Sequence, residues 1–171
     1  FMGAGIATVS AQAGLEVILI DVNQEGADKG KQHAIDHFAK GVARGKVTQE
    51  KADAMAALIT PTTDYSLLKD CELVVEAVFE NSELKHKITK MAEEHMAEDA
   101  IFGIHFFSPV EKMMLVEVIV GDKSGDRSIS RAIDFVTRIK KTPIVVSDTR
   151  GFYCNRCVMR FGEQGLAMLS E

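Results

Sequence analysis

Two stretches decide the fold of this chain: Met2-Gly-Ala-Gly-Ile-Ala-Thr-Val9, and Val17-Ile-Leu-Ile20 with Asp21 directly behind it. A glycine-rich start leads into a small, alanine-rich helical segment, and a short run of valine, isoleucine and leucine follows. Continuous apolar runs of this kind are typical of strands that are buried on both faces of a parallel sheet. The opening therefore predicts a helix that packs against such a strand.

The same alternation continues along the chain. Further apolar runs lie at 72–78, 101–107, 114–120 and 143–146, and helical candidates lie at 5–14, 24–44, 48–58, 82–96 and 128–140. Ser82 and Ser128 stand at the starts of the last two helical candidates, and serine is a favoured N-cap residue. This order predicts an α/β fold, Rossmann-like and doubly wound, with a mostly parallel sheet and antiparallel final strands.

The opening also carries half of a cofactor motif. In a dinucleotide-binding unit the last glycine of G-x-G-x-x-G lets helix and strand pack closely, and the acid that ends the second strand bonds the ribose hydroxyls. Gly3 matches that glycine and Asp21 matches that acid. A carboxylate at this position repels a 2′-phosphate, which favours NAD over NADP. The alternatives are a tight turn before an ordinary core helix and an aspartate that merely caps a turn.

Two domains are expected. Residues 1–149 form the NAD-binding Rossmann-like domain, whose first strand and first two glycines we expect to be missing before Gly3. Residues 155–169 have a helical pattern with no strand after it. We therefore expect 150–171 to be the start of a C-terminal helical domain that is cut off here.

Composition narrows the classes of function. The chain is 46% hydrophobic and 26% charged, as globular proteins are, and its net charge of -5 does not favour a nucleic-acid partner. No apolar run approaches the length of a membrane span. Three cysteines favour a reducing compartment over a disulfide scaffold. The spacing of Cys154 and Cys157 resembles a metal or redox pair, but no second pair exists, so we expect no metal.

Two polar residues interrupt apolar strands. His105 lies in the run 101–107 and Glu117 in the run 114–120. If the two runs form an antiparallel hairpin centred on Glu111, His105 and Glu117 fall directly opposite each other on one face. A buried carboxylate is costly unless it is paired, and a glutamate that fixes one imidazole tautomer suits a general base. The alternative is a purely structural histidine–glutamate pair.

These residues resemble the 3-hydroxyacyl-CoA dehydrogenase family. The segments that carry the resemblance are Met2-Gly-Ala-Gly-Ile-Ala7, Val74-Val-Glu-Ala-Val-Phe-Glu-Asn81, Gly103-Ile-His-Phe-Phe-Ser-Pro-Val110, Leu115-Val-Glu-Val-Ile119, and Thr142-Pro143 through Gly151-Phe-Tyr-Cys-Asn-Arg156. The stretch from His105 to Met113 is particularly similar to the dehydrogenase part of multifunctional fatty-acid oxidation enzymes.

The resemblance implies roles for individual residues. His105 matches the catalytic base, Glu117 its partner, and Asn155 an asparagine at the domain junction that contacts the reacting centre. Asp21 matches the ribose ligand. The remaining cofactor positions that the resemblance implies, together with the glycine of the motif, are Met2, Gly3, Ala77, Glu80, Lys85 and Ser108.

The sequence departs from the family pattern in two places. The family usually has a strand ending in Ser-Asn-Thr-Ser and a short helix before the histidine strand, whereas here Ala100 runs almost directly into His105. We therefore expect a stretch near 100–103, with its catalytic serine, to be missing. Cys154 and Cys157 occupy positions where the family commonly has aliphatic residues, which affects packing rather than chemistry.

The expected activity is NAD-dependent oxidation of an (S)-3-hydroxyacyl-CoA to the 3-oxoacyl-CoA in fatty-acid β-oxidation. His37 and Arg44 lie on one face of a predicted helix and are candidate contacts to the CoA moiety. The alternative is that this face is an ordinary solvent-exposed surface. The expected substrate is an acyl-CoA thioester. We expect the protein to be a homodimer or part of a multifunctional complex. The expected location is the bacterial cytoplasm, or mitochondria or peroxisomes in a eukaryote. Two alternatives stay open: a non-catalytic nucleotide-binding module, and an oxidoreductase of another hydroxyacid.

Overall fold

A computed structural model describes residues 2–77, 82–95, 103–121 and 124–171. The elements in chain order are α1 (Met2–Gln12), β1 (Val17–Ile20), α2 (Gln24–Ala43), α3 (Gln49–Ala57), β2 (Ile59–Thr62), a 3₁₀ helix (Tyr65–Asp70), α4 (Ser82–Glu93), β3 (Gly103–Phe106), β4 (Leu115–Val120), α5 (Asp126–Arg138), β5 (Thr142–Ser147) and α6 (Cys154–Met168).

Strands pair in two groups within these described ranges. β1 pairs in parallel with β2, and Val17 lies opposite Ile59. β4 is the middle strand of the other group: it pairs antiparallel with β3 and in parallel with β5. The α/β class, the parallel pairs and the antiparallel pairing near the end are therefore as predicted.

One predicted strand is wrong and one observed strand was missed. Residues 72–77 form no strand, although they contain Leu73, Val74 and Val75, and residue 78 lies outside the described ranges. β2 was missed because Ile-Thr-Pro-Thr has a single large apolar side chain, Ile59, which is 1% exposed. Apolar character alone did not separate a paired strand from an extended segment.

The sequence predicted which segments are helical better than it predicted their first residues. α5 begins at Asp126, with Gly125 as its N-cap and no side-chain cap, so the prediction that Ser128 caps it is wrong. α4 begins at Ser82 itself. α2 has a side-chain cap, because Asn23 accepts a hydrogen bond from the backbone N–H of Gly26 at 2.8 Å.

The site is built on the larger of two apolar cores. Most of this core comes from α1, β3, β4 and α5, and its members are Ile6, Val9, Phe106, Val110, Val116, Val118, Ala132, Val136 and Ile139. Val116 and Val118 are fully buried on either side of Glu117 in the sequence. β4 is therefore held rigidly at the position of the glutamate, since packed interiors leave side chains little freedom.

α6 is exposed along almost its whole length. None of its residues is buried, and its large apolar side chains are exposed, including Phe161 at 83% and Met168 at 70%. An amphipathic helix normally buries its apolar stripe against another element. Within the described residues α6 is fixed mainly at its start, where it meets the β4 glutamate.

Candidate active site

His105 and Glu117 form a close pair across β3 and β4. The two residues are direct partners in the antiparallel register, as the sequence predicted. His105 Nδ1 lies 2.7 Å from Glu117 Oε2, and the glutamate side chain is fully buried while the histidine side chain is 30% exposed. The carboxylate thus lies in the interior, and the imidazole reaches from it towards the surface.

The second carboxylate oxygen of Glu117 meets the start of α6. Oε1 accepts hydrogen bonds from the backbone N–H groups of Tyr153 at 3.0 Å and Cys154 at 2.8 Å. Burial alone raises the pKa of Glu117, but hydrogen bonds from Cys154, His105 and Tyr153 outweigh it and hold the pKa below its ordinary value. Glu117 therefore stays ionised, and the positive end of a helix faces it.

This arrangement fixes the chemistry of the imidazole. An ionised carboxylate can only accept hydrogen bonds, so Nδ1 of His105 carries the proton that it donates to Glu117. Nε2 is then left with the lone pair of the ring. A histidine oriented in this way can take a proton from an alcohol, and the adjacent carboxylate stabilises the imidazolium that results.

Two aromatic rings pack on the imidazole of His105. The Phe107 ring lies 4.8 Å away, edge-on, and the Phe152 ring lies 5.4 Å away at a tilt of 49°. The sequence had singled out neither residue. For Phe152 a signal existed in the segment Gly151-Phe-Tyr-Cys-Asn-Arg156, but its contact with His105 depends on a turn that the sequence does not specify.

The start of α1 forms a cradle of small side chains. A Cβ atom added to Gly3 would lie 3.6 Å from the Cβ of Ala77, so these two predicted cofactor residues are neighbours in space. Met2 is the first residue of α1, and its side chain is partly buried. The first N–H groups of a helix have no intrahelical partner, and they point towards whatever binds there. The residues present fit a pyrophosphate group.

Asp21 lies at the carboxyl end of β1 and is exposed. Its Oδ1 accepts the N–H of Val22 at 2.7 Å, and among the described residues no cation pairs with it. Gly26 makes room for this carboxylate: a Cβ at Gly26 would lie 2.8 Å from the carboxyl carbon. Tyr65 is also close, since burial and then the charge of Asp21 raise the pKa of its phenol. Asp21 is therefore free to bond ribose hydroxyls, and Gly26 and Tyr65 are neighbours that the sequence did not indicate.

The structure shows few contacts for the other predicted site residues. Ser108 is exposed and precedes a cis peptide bond to Pro109. Asn155 is exposed on the first turn of α6, and its side chain makes no hydrogen bond to the described residues. Lys85 lies on α4. Glu80 lies outside the described residues.

A buried lysine holds the turn that follows His105. Lys141 is 7% exposed, and its ammonium group donates to the backbone carbonyls of Val110 and Met113, both at 2.6 Å. Burial lowers the pKa of Lys141, and the charge of Glu111 partly opposes this. The sequence offered no signal for this clamp, because Lys141 stands in an ordinary charged stretch beside Lys140.

The same turn is tied to α2. His33 Nε2 lies 2.5 Å from Glu111 Oε1, and burial lowers the pKa of the neighbouring His37 although Glu111 raises it. The candidate CoA contacts His37 and Arg44 are half-buried and exposed, respectively, and Arg44 is the C-cap of α2. The His33–Glu111 contact was not predicted, because the sequence does not specify how α2 packs on the β3–β4 turn.

An open cleft lies beside the site. Its volume is about 590 Å³, and it is lined by Phe152, Tyr153, Arg156, Cys157, Met159, Arg160 and Glu163. Among the described residues there is no group of three histidine, cysteine or acidic side chains that could hold a metal ion. No helix in the described part is long and apolar enough to cross a membrane.

Residues 1–103 and 87–149 match the family model for the NAD-binding domain of 3-hydroxyacyl-CoA dehydrogenase. The chain belongs to this family. The match confirms the resemblance and NAD as the cofactor, and the family is one of oxidoreductases.

Relatives and solved structures agree with this assignment. The alpha subunit of the fatty acid oxidation complex from Shewanella loihica is 38% identical over 194 aligned positions, covering 99% of this chain and 28% of the relative. Among solved structures, the (S)-3-hydroxybutyryl-CoA dehydrogenase from Ralstonia eutropha has a TM-score of 0.88 at 29% identity, covering 92% of this chain and 64% of that one. The 3-hydroxybutyryl-CoA dehydrogenase from Escherichia coli has a TM-score of 0.81 at 27% identity, covering 86% and 36%.

These likenesses confirm the Rossmann-like fold. The chain spans little more than a quarter of the length of the curated relatives, 28% for the Shewanella loihica subunit. The alignment with that subunit is also longer, at 194 positions, than the 171 residues of the chain. The relative therefore has internal residues with no counterpart here.

Proposed function

We propose that the protein containing this chain oxidises an (S)-3-hydroxyacyl-CoA to the 3-oxoacyl-CoA with NAD, as a step of fatty-acid β-oxidation. One observation carries the proposal: a buried, ionised Glu117 orients the imidazole of His105 within an NAD-binding domain of this family. A domain that only bound a nucleotide would need no such pair. The relatives named for fatty-acid oxidation and for 3-hydroxybutyryl-CoA support the choice of a thioester substrate.

The mechanism assigns a part to each residue of the pair. When bound, NAD supplies the hydride acceptor, and the protein contributes position and charge. Nε2 of His105 takes the proton of the 3-hydroxyl group while the C–H bond at the same carbon is broken. Glu117 stabilises the imidazolium, and its contacts with Tyr153 and Cys154 keep it from rotating away. Asn155 would orient the substrate oxygen or the imidazole from the start of α6.

The cofactor site has two ends in this proposal. Met2 and Gly3 receive the pyrophosphate at the start of α1, and Asp21 bonds the ribose hydroxyls. The side chains proposed for the nicotinamide half are Ala77, Glu80, Lys85 and Ser108. Gly3 lies close to Ala77, and this closeness at the start of α1 supports a shared pocket for the two ends of the cofactor.

Domain organisation is part of the proposal. We infer that 1–149 are the NAD-binding domain and that 150–171 begin a helical domain, because α6 has exposed apolar side chains and no buried residue. We further infer that a segment present in relatives is absent near 100–103. The overlap of the two matched segments at 87–103 and the longer alignment support this. The serine that the family carries in that segment would then have no counterpart.

The proposal also includes substrate contacts and assembly. His37 and Arg44 are proposed to contact the CoA moiety, supported by the cluster of basic side chains around His37, which includes Lys40 and Arg44. Membership of a fatty-acid oxidation complex, or a homodimer, is proposed from the names of the relatives. A cytoplasmic location is proposed because those relatives are bacterial.

Replacement of the base tests the proposal. His105→Gln in the full-length protein should abolish turnover of a 3-hydroxyacyl-CoA and leave the Kd for NAD unchanged, because the imidazole is the proton acceptor and not a cofactor ligand. His86→Gln, at an exposed histidine on α4, is the matched control. Near-normal turnover by His105→Gln would reject the assignment. NAD binding without turnover by the unaltered protein would favour the non-catalytic module.

A further inference from the structure

The turn between β5 and α6 contacts both members of the catalytic pair. Phe152 places its ring against the imidazole of His105, and the next two residues donate their backbone N–H groups to Glu117. One short segment therefore holds the base by its ring and the carboxylate by two hydrogen bonds. The hydrogen bonds have a role in the proposed mechanism, whereas Phe152 has not yet been assigned one.

The backbone at this turn is unusual. Gly151 has φ +80° and Phe152 has φ +48°, both in the left-handed region. Glycine adopts that conformation without steric cost, but in a residue with a side chain the Cβ atom crowds the following carbonyl oxygen. Strain of this kind persists where the surroundings impose it, and it concentrates at functional sites. Phe152 combines this left-handed backbone with the ring contact to His105.

The surroundings of the ring suggest what it does. Phe152 is partly buried, and it also lines the open cleft at the start of α6. The Phe107 ring contacts the same imidazole at 4.8 Å, so two aromatic rings restrict rotation of His105 about its side-chain bonds. The hydrogen bond to Glu117 fixes one nitrogen only, and the rings fix the plane of the imidazole.

We propose that Phe152 is a positioning residue for the base: its ring, held by a left-handed backbone, fixes the plane of the His105 imidazole so that Nε2 meets the substrate hydroxyl. This rests on the proposed dehydrogenase function. Misplacement of a reacting group by about 1 Å can cost about 10²-fold in rate. Loss of the ring should therefore lower kcat far more than it raises any KM.

The test compares Phe152→Tyr, Phe152→Leu and Phe152→Ala in the full-length protein. Phe152→Ala should lower kcat about 10²-fold with the KM for NAD unchanged, Phe152→Leu should lie between, and Phe152→Tyr should restore most of the rate because it keeps the ring. Phe135→Leu is the matched control, since Phe135 is a partly buried phenylalanine of α5 that packs against the core and not on the His105 ring. It should keep the kcat of the unaltered protein.

The NMR signals of His105 test the ring contact independently of turnover. The imidazole C–H signals of His105, assigned by their loss in His105→Gln, should shift in Phe152→Leu because a ring current is removed, and should keep their position in Phe135→Leu. Unshifted signals, or full activity of Phe152→Ala beside an inactive His105→Gln, would overturn the inference and leave the dehydrogenase function intact. Failure of the unaltered protein to oxidise any 3-hydroxyacyl-CoA would instead reject the proposed function.

Discussion

The carboxylate of Glu117 contacts two elements that lie far apart in the sequence, strand β3 and helix α6. Its Oε2 lies 2.7 Å from Nδ1 of His105, and its Oε1 accepts the N–H of Cys154 at 2.8 Å. The side chain is fully buried, so both contacts are made away from solvent. The orientation of the His105 imidazole is therefore tied to the position of α6.

Replacing Glu117 with glutamine should lower kcat by about 10²–10⁴-fold. The two backbone N–H groups at the start of α6 select the amide oxygen, which leaves the amide N–H₂ group facing His105. Nδ1 must then accept a hydrogen bond, and Nε2 carries the proton, so it can no longer act as a base. Steady-state kinetics with Glu50→Gln, an exposed glutamate of α3, as control would check this. A rate within twofold of the unaltered protein would contradict the role of the pair.

Stability should depend on pH through Glu117. Its pKa in the folded state is below the ordinary value of 4.5, so the ionised carboxylate stabilises the fold above that value, and this contribution is lost as the pH falls through the folded pKa. The difference in free energy of unfolding between the unaltered protein and Glu117→Gln should be largest near neutral pH and shrink in acid. Urea unfolding at a series of pH values measures it. A difference that grows in acid would show that burial, rather than hydrogen bonding, sets the pKa of Glu117.

Gly26→Ala should weaken NAD binding by about tenfold, as expected for a lost hydrogen bond to a charged group. The added Cβ would lie 2.8 Å from the carboxyl carbon of Asp21, so the carboxylate must turn away from the ribose position. Gly41→Ala on the same helix is the control, because its Cβ would meet Val47 at an ordinary 3.7 Å. Titration with NAD measures both. Equal affinities of the two variants would mean that Asp21 does not depend on Gly26.

Lys141→Met should destabilise the domain by about 1–3 kcal/mol, because the carbonyls of Val110 and Met113 lose a buried donor. Lys112→Met, at an exposed lysine of the same turn, should change the free energy of unfolding by less than about 0.5 kcal/mol. Chemical denaturation checks the two variants side by side. Equal stability would show that other contacts satisfy these carbonyls.

The register of His105 with Glu117 could be predicted from the sequence because it depends on local pattern. Two polar residues interrupt two apolar runs at equal distances from a turn, and a slip of one residue would send one of them to the opposite face. Helix α1, strand β1 and the position of Asp21 directly after β1 were likewise predictable, since a helix and a strand in sequence order leave few ways to pack.

Other features depend on contacts between distant segments. The clamp of Lys141 on Val110, the contact of His33 with Glu111 and the ring of Phe152 on His105 each join residues that are 31 to 78 positions apart. No local periodicity encodes them. The wrong strand at 72–78 has the opposite cause: its apolar run is strong, but a strand also needs a partner with which to pair, and residues 72–77 form no strand.

The central claim is tested most directly by formation of NADH from a (S)-3-hydroxyacyl-CoA by the full-length protein, measured beside the free hydroxy acid and beside NADP. The account predicts NADH with the thioester and NAD, little product with the free acid or NADP, and none from His105→Gln. Equal turnover of the free acid, or none with the thioester despite measurable NAD binding, would contradict it.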